Sequence, residues 1–270
     1  MDSEPWFNSS SKDRLDFLLL RFHPRADSVA MNLSKDQRDE FVRKTFDRIA
    51  RRYDLLNRLI SFHLDTVWRK KAVKALRLKG SSAVVLDLGT GTGDLALAAA
   101  KEMEGRGKVL GLDFSLEMLR LAQAKKTSTP YGQRAIYVLG SALNPPFKRQ
   151  SFDAVMTAFV LRNISDLNLF FDQAYGLLKP GGKLVSLDMF PPSGIPFSFL
   201  YSLYFYRLMP WIGASVAHDR GAYQYLSESV RNFHPPEAIG QLLEKSGFQS
   251  VKIEKMLQGA VCLHSAEKPH

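Results

Sequence analysis

The stretch Ala83–Ala100, AVVLDLGTGTGDLALAAA, decides how this 270-residue chain is read. A short β-branched apolar run leads into a glycine cluster, and an alanine-rich segment without a breaker follows. That order predicts a strand, a tight loop and a helix. The glycines stand at Gly89, Gly91 and Gly93, a GxGxG spacing rather than the GxGxxG of the dinucleotide fingerprint. Residues without a Cβ let a ligand lie against the backbone at the carboxyl end of a strand, where the amides of the next helix point outward. The following strand, within KVLGLDFS (Lys108–Ser115), closes on Asp113, 26 residues past Asp87. An acid at that tip is placed to accept two ribose hydroxyls. Together the features imply a nucleoside-shaped ligand, whereas the glycine loop alone also fits a sharp turn with no ligand.

Outward from this centre the sequence alternates. A strand is expected over Val109–Phe114, and a helix from Ser115, its N-cap, to about Lys126. Further strands fall at Ala135–Leu139 and Phe152–Ala158, with a turn at Pro145 and Pro146 between them. A helix over Leu167–Leu178 is stopped at Lys179-Pro180-Gly181-Gly182, and Gly182 launches the strand KLVSLDMF. Near the end, a helix over Pro235–Ser246 precedes FQSVKIEKM and GAVCLHSAEK, which read as a final pair of strands. The expected architecture is α/β, a mostly parallel seven-stranded sheet with helices on both faces.

Three regions flank or interrupt this pattern. Residues 1–34 read as a loosely docked or flexible N-terminal extension, with a short helix over Asp13–Phe22 and a break at Pro24. Residues 35–80 carry Phe41, Phe46, Ile49, Tyr53, Leu56, Leu59 and Ile60 at helical spacing, so two or more helices precede the sheet, and the main domain runs over 35–270. Residues 191–233 begin with PPSGIPFSFLYSLYFYRLMPWIGASVA, where Arg207 is the only charged residue. Its prolines argue against a spanning helix; the segment reads as a lid over an apolar pocket, an interfacial element, or ordinary core.

Composition narrows the classes. Hydrophobic residues make up 45 %, enough for a sizeable core, and the single cysteine, Cys262, excludes an intrachain disulfide and argues against a Cys-based metal site. No metal is expected. The opening residues lack the pattern of a secretory signal and no run of about 20 apolar residues occurs, so a cytoplasmic protein is expected. The net charge of +10 is concentrated between Lys35 and Lys79, with 14 Lys and Arg against six Asp and Glu. Such a face suits nucleic acid or an anionic membrane surface, or is simply a solvated helical surface.

Four blocks give the chain a resemblance to a known family: YDLLNRLISFHLDTVWRK (Tyr53–Lys70), LDLGTGTGD with LDFS, LRNISD (Leu161–Asp166), and LLKPGGKLVSLD with AYQYLSESVRNF (Ala222–Phe233). They resemble, in order and across residues 40 to 265, the class I S-adenosylmethionine-dependent methyltransferases that C-methylate the ring of prenylated quinols in ubiquinone and menaquinone biosynthesis. The glycine loop is generic to that superfamily; the Tyr53 block, LRN and YLSESV are more specific. Departures are Asp65 where the family often has His, His63 where glycine is frequent, Ser141 where Asp or Asn is usual, and Asp188 where Glu is usual.

The resemblance implies a Rossmann-like methyltransferase fold with an aromatic-rich lid insertion, and S-adenosyl-L-methionine as cofactor. Asp87, Gly89, Gly91, Thr92, Gly93, Asp113, Ser141 and Ala142 are then the expected cofactor residues. Arg162 and Asn163 are the expected catalytic pair: forked guanidinium donors can hold a phenolate and order the water that takes its proton. The alternative for Arg162 is a salt bridge to Asp166 that braces a loop. Tyr53, Asp54 and His63 are the substrate-side candidates, although Tyr53 also fits the core, and proton relay by His63 is not expected. The implied partners are a prenylated quinol such as demethylmenaquinol and, peripherally, the inner face of a membrane, without nucleic acid; a homo-oligomer stays open. Two other readings remain at this level, an RNA methyltransferase and a noncatalytic relative that keeps the fold as a binding module.

Overall fold

In the computed structural model, residues 34–78, 82–103, 107–191 and 220–270 are described. The short helix expected at Asp13–Phe22 and the Phe197–Trp211 part of the expected lid lie outside them.

The strands are β1 (Val84–Leu88), β2 (Lys108–Asp113), β3 (Ala135–Leu139), β4 (Phe152–Ala158), β5 (Leu178–Met189), β6 (Gln249–Met256) and β7 (Val261–Glu267). Their order in the sheet is β3-β2-β1-β4-β5-β7-β6. β1 to β5 are parallel, and only β7 runs against its neighbours β5 and β6. Seven helices are described: α1 (Lys35–Ile60), α2 (Leu64–Ala75), α3 (Asp94–Glu102), α4 (Leu116–Thr127), α5 (Leu167–Leu177), α6 (Arg220–Arg231) and α7 (Pro236–Lys245).

The central strands read as continuous apolar runs because both faces are covered. Val85, Val109, Met156 and Val185 pack with Trp68, Val73, Leu95 and Ala99 of α2 and α3. Leu86, Leu112, Val155 and Leu184 pack on the other face with Phe170, Phe171, Ile239 and Leu243 of α5 and α7. Alanines at Ala96, Ala99 and Ala100 let α3 settle directly on the sheet. The Ser115 cap forms as expected, its hydroxyl accepting the Met118 amide at 3.1 Å.

One boundary differs. The LKPGG segment belongs to β5, which begins at Leu178 rather than after Gly182. The cause is long-range: Gly181 N–H donates to the Lys268 carbonyl at 2.9 Å and Lys268 N–H donates to the Gly182 carbonyl at 2.8 Å, so the chain end pairs with the apparent turn.

Candidate active site

Strand order reverses between β1 and β4, and a crevice opens there at the carboxyl ends of the parallel strands, the place where such sheets bind ligands. It holds a cavity of about 340 Å³. Gly89–Thr92, Asp113 and Phe114, Gly140–Leu143, Ala158–Val160, Asn163 and Ile164 form its walls, following β1, β2, β3 and β4 in turn, and Val42, Phe46 and Tyr53 of α1 roof it.

The three loop glycines have different reasons to be glycine. All have positive φ, +71° at Gly89, +55° at Gly91 and +82° at Gly93. A Cβ at Gly89 would fall 2.5 Å from Val160, and one at Gly93 2.3 Å from the Tyr137 hydroxyl, so these two are closed in by protein. Nothing lies within 4 Å of a Cβ at Gly91. That position faces the cavity, and Gly93 lies behind it.

Asp113 stands on the wall. Its Oδ2 accepts the Gly91 amide at 2.7 Å and its Oδ1 accepts the Ser115 amide at 2.9 Å. Burial pushes its pKa up to about 6, against the pull of those amides. Asp87, expected as a cofactor contact, is instead beneath the loop and off the cavity wall. Its side chain points to the α2/α3 face of the sheet, where Oδ2 accepts the Thr90 hydroxyl at 2.7 Å and burial drives its pKa up to about 7. Ser141 and Ala142 lie on the wall opposite the loop, with the Ser141 hydroxyl accepting the Leu143 amide at 3.2 Å.

At the far end, Phe159 supplies an aromatic wall with a backbone φ of +63°, a strained conformation for a bulky residue and one that clusters at functional sites. Arg69 and Arg162 both stack on its ring, their guanidinium carbons 5.0 and 5.8 Å from the centroid. Arg162 lies in the single turn Leu161–Asn163, 6 % exposed, and its Nη1 donates to Asp188 Oδ1 at 2.5 Å. Asp188 closes β5 and is fully buried. Burial works to lower the Arg162 pKa, and Asp188 and Tyr53 reverse it, so the net direction is upward and the group stays charged.

The partner of Arg162 therefore corrects the expectation. Asp166 is turned outward, where it caps α5 through the Leu169 amide at 3.0 Å and meets Lys35 at 2.7 Å. Arg162 itself is behind Phe159 rather than on the cavity wall, and Asn163 is the member of the pair that reaches the wall. Asn163 Oδ1 accepts the Tyr225 hydroxyl at 3.0 Å, and its Nδ2 donates to the Phe159 carbonyl at 3.3 Å.

Of the substrate-side candidates only Tyr53 lines the cavity. Burial holds its phenol above the ordinary value, partly offset by Arg162 and Arg69. Asp54 sits one layer back: its Oδ1 accepts the Thr92 hydroxyl at 2.5 Å, and it pairs with Lys125, which also holds Asp94 at 2.5 Å. His63 is exposed at the corner between α1 and α2, away from the cavity, with φ +62°. A left-handed corner is the place where glycine is comfortable, which fits the glycine frequent at this position in the family and leaves His63 strained. Residues the sequence did not single out as partners, Asp188, Tyr225, Arg69 and Phe159, complete this end. Their only linear signals were an acid closing a strand and a tyrosine in a helical block.

The sequence profile of the ubiE/COQ5 methyltransferase family matches residues 31–268. The chain belongs to the ubiE/COQ5 methyltransferase family. Among curated members, it is 41 % identical over 224 residues to a demethylmenaquinone methyltransferase of Thermus thermophilus, covering 83 % of this chain and all of that one. It is 37 % identical to another of the same name from Desulfitobacterium hafniense, covering 90 % of this chain and 96 % of that one. A "Ubiquinone/menaquinone biosynthesis C-methyltransferase" of Geobacter sulfurreducens is 36 % identical, over 86 % and 90 %. Among solved structures, a SAM-dependent methyltransferase from Thermotoga maritima superposes with a TM-score of 0.59 at 20 % identity, over 84 % of this chain and 99 % of that one. A Haemonchus contortus phosphoethanolamine N-methyltransferase in complex with S-adenosyl-L-methionine gives 0.56 at 20 % identity; this family member covers 52 % of its length and 75 % of its own. These structural likenesses establish the fold of this ubiE/COQ5 chain as the methyltransferase one.

Proposed function

We propose that this chain transfers the methyl group of S-adenosyl-L-methionine to a ring carbon of a prenylated quinol, converting demethylmenaquinol to menaquinol. The observation that carries this reading is one cavity with two chemically distinct ends. At one end stand an open glycine and a strand-tip carboxylate; at the other, Tyr53 and Asn163 stand before a buried guanidinium. The relatives' names supply the acceptor.

The residues present fit the cofactor. Gly91 leaves the space a Cβ would fill, Asp113 offers a carboxylate to ribose hydroxyls, and Gly89, Thr92, Ser141 and Ala142 complete the cradle, with Asp87 and Gly93 supporting it from behind. When bound, the sulfonium supplies an already activated methyl group. What the chain adds is positioning, exclusion of water and electrostatics.

Carbon methylation requires a phenolate, because the ring must carry the electron density that attacks. A phenol ionises near pH ~10, so a neighbouring cation is needed at neutral pH. Arg162 provides it from behind Phe159, held charged by Asp188, and its Nε finds no hydrogen-bond partner among the described residues. From behind the Phe159 ring the guanidinium acts on the phenolate through its charge, while Asn163 and Tyr53 on the wall orient the ring. The guanidinium keeps its own proton throughout. The protein works in the cytoplasm and meets its lipid substrate at the membrane face; among the described residues no helix is long and apolar enough to cross a bilayer.

The test is mass spectrometry of chemically reduced short-tail demethylmenaquinol, and of its benzoquinol counterpart, each incubated with the protein and the methyl donor. A gain of one methyl on the ring is expected. No gain on either ring, with calorimetry showing that the donor binds, would overturn the quinol assignment and leave another acceptor to be found.

A further inference from the structure

Half of the large exposed apolar residues among the described residues fall within one short stretch: Leu55, Leu59, Phe62, Leu64 and Val67. Leu55 and Leu59 are one helical turn apart on the face of α1 opposite Tyr53, and Val67 lies on the outer face of α2. The corner between the helices, with φ +50° at Phe62 and +62° at His63, leaves Phe62 70 % exposed at the apex. Together these five exposed side chains concentrate on the α1–α2 corner as an apolar prow, where single exposed apolar residues would need no explanation.

Beside the prow lies a second, open hollow of about 600 Å³, which shares only Arg69 and Asp94 with the lining of the first cavity. Arg58, Lys70 and Lys101 line it and make no ion pair among the described residues, while its other cations, Arg69 and Lys125, are paired with Asp65 and Asp94. Arg58 and Lys70 are three residues from Leu55 and Val67 on their respective helices, so the basic hollow and the apolar prow share one edge.

We propose that the α1–α2 corner docks on an anionic lipid bilayer, with the prow inserted at the headgroup–acyl boundary and Arg58, Lys70 and Lys101 receiving lipid phosphates. Apolar side chains flanked by unpaired cations are the combination that interfacial binding requires. Nucleic acid would use the charge but not the prow. A second copy of this chain, meeting the same face across a twofold axis, would bring like charges together at the rim. The proposal rests on the quinol reading only for its purpose, which is to bring the active site to a substrate whose tail resides in the bilayer.

The experiment is co-sedimentation of the full chain with vesicles of phosphatidylcholine alone and of phosphatidylcholine with phosphatidylglycerol, at low and high salt. No substrate is needed, so this outcome is separate from that of the methyl-transfer assay. Binding is expected to the acidic vesicles and to weaken with salt. Leu59→Ser/Phe62→Ser should weaken it about tenfold or more, and Lys70→Glu/Lys101→Glu by a similar factor, about tenfold. Calorimetric affinity for the methyl donor should be unchanged in both, which also shows that the variants fold. Equal binding to neutral and acidic vesicles, or wild-type binding by either variant, overturns the proposal. So does a dimer in sedimentation velocity that Phe62→Ser dissolves, since that assigns the face to a second copy.

Discussion

Removing the carboxylate of Asp188 tests the most consequential contact at the acceptor end. The Arg162–Asp188 pair is out of solvent, with 6 % and 0 % of the two side chains exposed and 2.5 Å between Nη1 and Oδ1. Screening is therefore slight, and the energy at stake is the cost of a guanidinium left buried without its counter-charge. Breaking a buried pair by deleting one member costs about 3–5 kcal/mol. In a domain of this size each kcal/mol moves the unfolding midpoint by about 2–4 °C, so Asp188→Ala should lower it by about 6–20 °C. The double variant Arg162→Met/Asp188→Leu removes both charges and should recover most of that loss, as buried pairs replaced by apolar side chains often do. Calorimetry of the three proteins reads the stability, and methyl transfer to the short-tail quinol reads the function. The double variant should be stable, bind the donor and turn over poorly, because the cation that favours the phenolate is gone. A midpoint within about 2 °C of wild type in Asp188→Ala, less than about 1 kcal/mol on the same scale, would refute the account of a charge held by its partner. Full turnover in the stable double variant would remove Arg162 from the chemistry.

Two further predictions concern the donor end. Asp87 holds its proton up to about pH 7 in the folded protein, against about 3.9 when unfolded. Between those values the folded state binds more protons, so stability is fully present below about pH 4 and declines as pH rises through 7. The full decline is about 4 kcal/mol, and Asp87→Asn should flatten it in urea titrations at pH 5 and 8; an unchanged slope would show that another group titrates there. The glycine loop should separate binding from stability. Gly91→Ala places a methyl in the cavity and should cost the donor most of its affinity with about 1–2 kcal/mol of backbone strain. Gly93→Ala meets the Tyr137 hydroxyl and should lose more stability than that, and equal effects of the two on calorimetric affinity and midpoint would contradict the geometry.

The glycine-loop end of the cavity was legible because its determinants are local. Gly89, Gly91 and Gly93 lie within five residues, and Asp113 closes a strand whose apolar run is plain to see, so spacing alone places them together. The mostly parallel sheet and the pairing of its last two strands followed from the pattern of strands and helices, whereas the reversal of β7 and the strand order are visible only in the structure. The acceptor end depends on partners far apart in the chain. Arg162 was read with Asp166, four residues on, yet its counter-charge arrives on β5, 26 residues away, because β4 and β5 are parallel neighbours with aligned carboxyl ends. Tyr225 reaches Asn163 across 62 residues in the same way. Asp87 misled for the opposite reason: it is next to the loop in sequence, but the pleat turns it to the other side. The Leu178 boundary was hidden too, since nothing in KPGG announces that the chain end will pair with it.

The helices before the sheet acquire a purpose from how α1 is fastened. Asp47 accepts the Ser115 hydroxyl at 2.5 Å, binding α1 to the end of the loop after β2. Two turns later Asp54 accepts the Thr92 hydroxyl and pairs with Lys125, binding it to the glycine loop and to α4. The two loops proposed to cradle the donor are thus both tied to one helix, whose inward stripe of Val42, Phe46 and Tyr53 roofs the cavity. A roof anchored at both of these loops places Tyr53 on the same helix that holds them. The same helix carries Leu55 and Leu59 on its outward face. One helix therefore joins the loops proposed to hold the donor, the tyrosine proposed to orient the ring and the corner proposed to dock on the bilayer, so the three share one structural element.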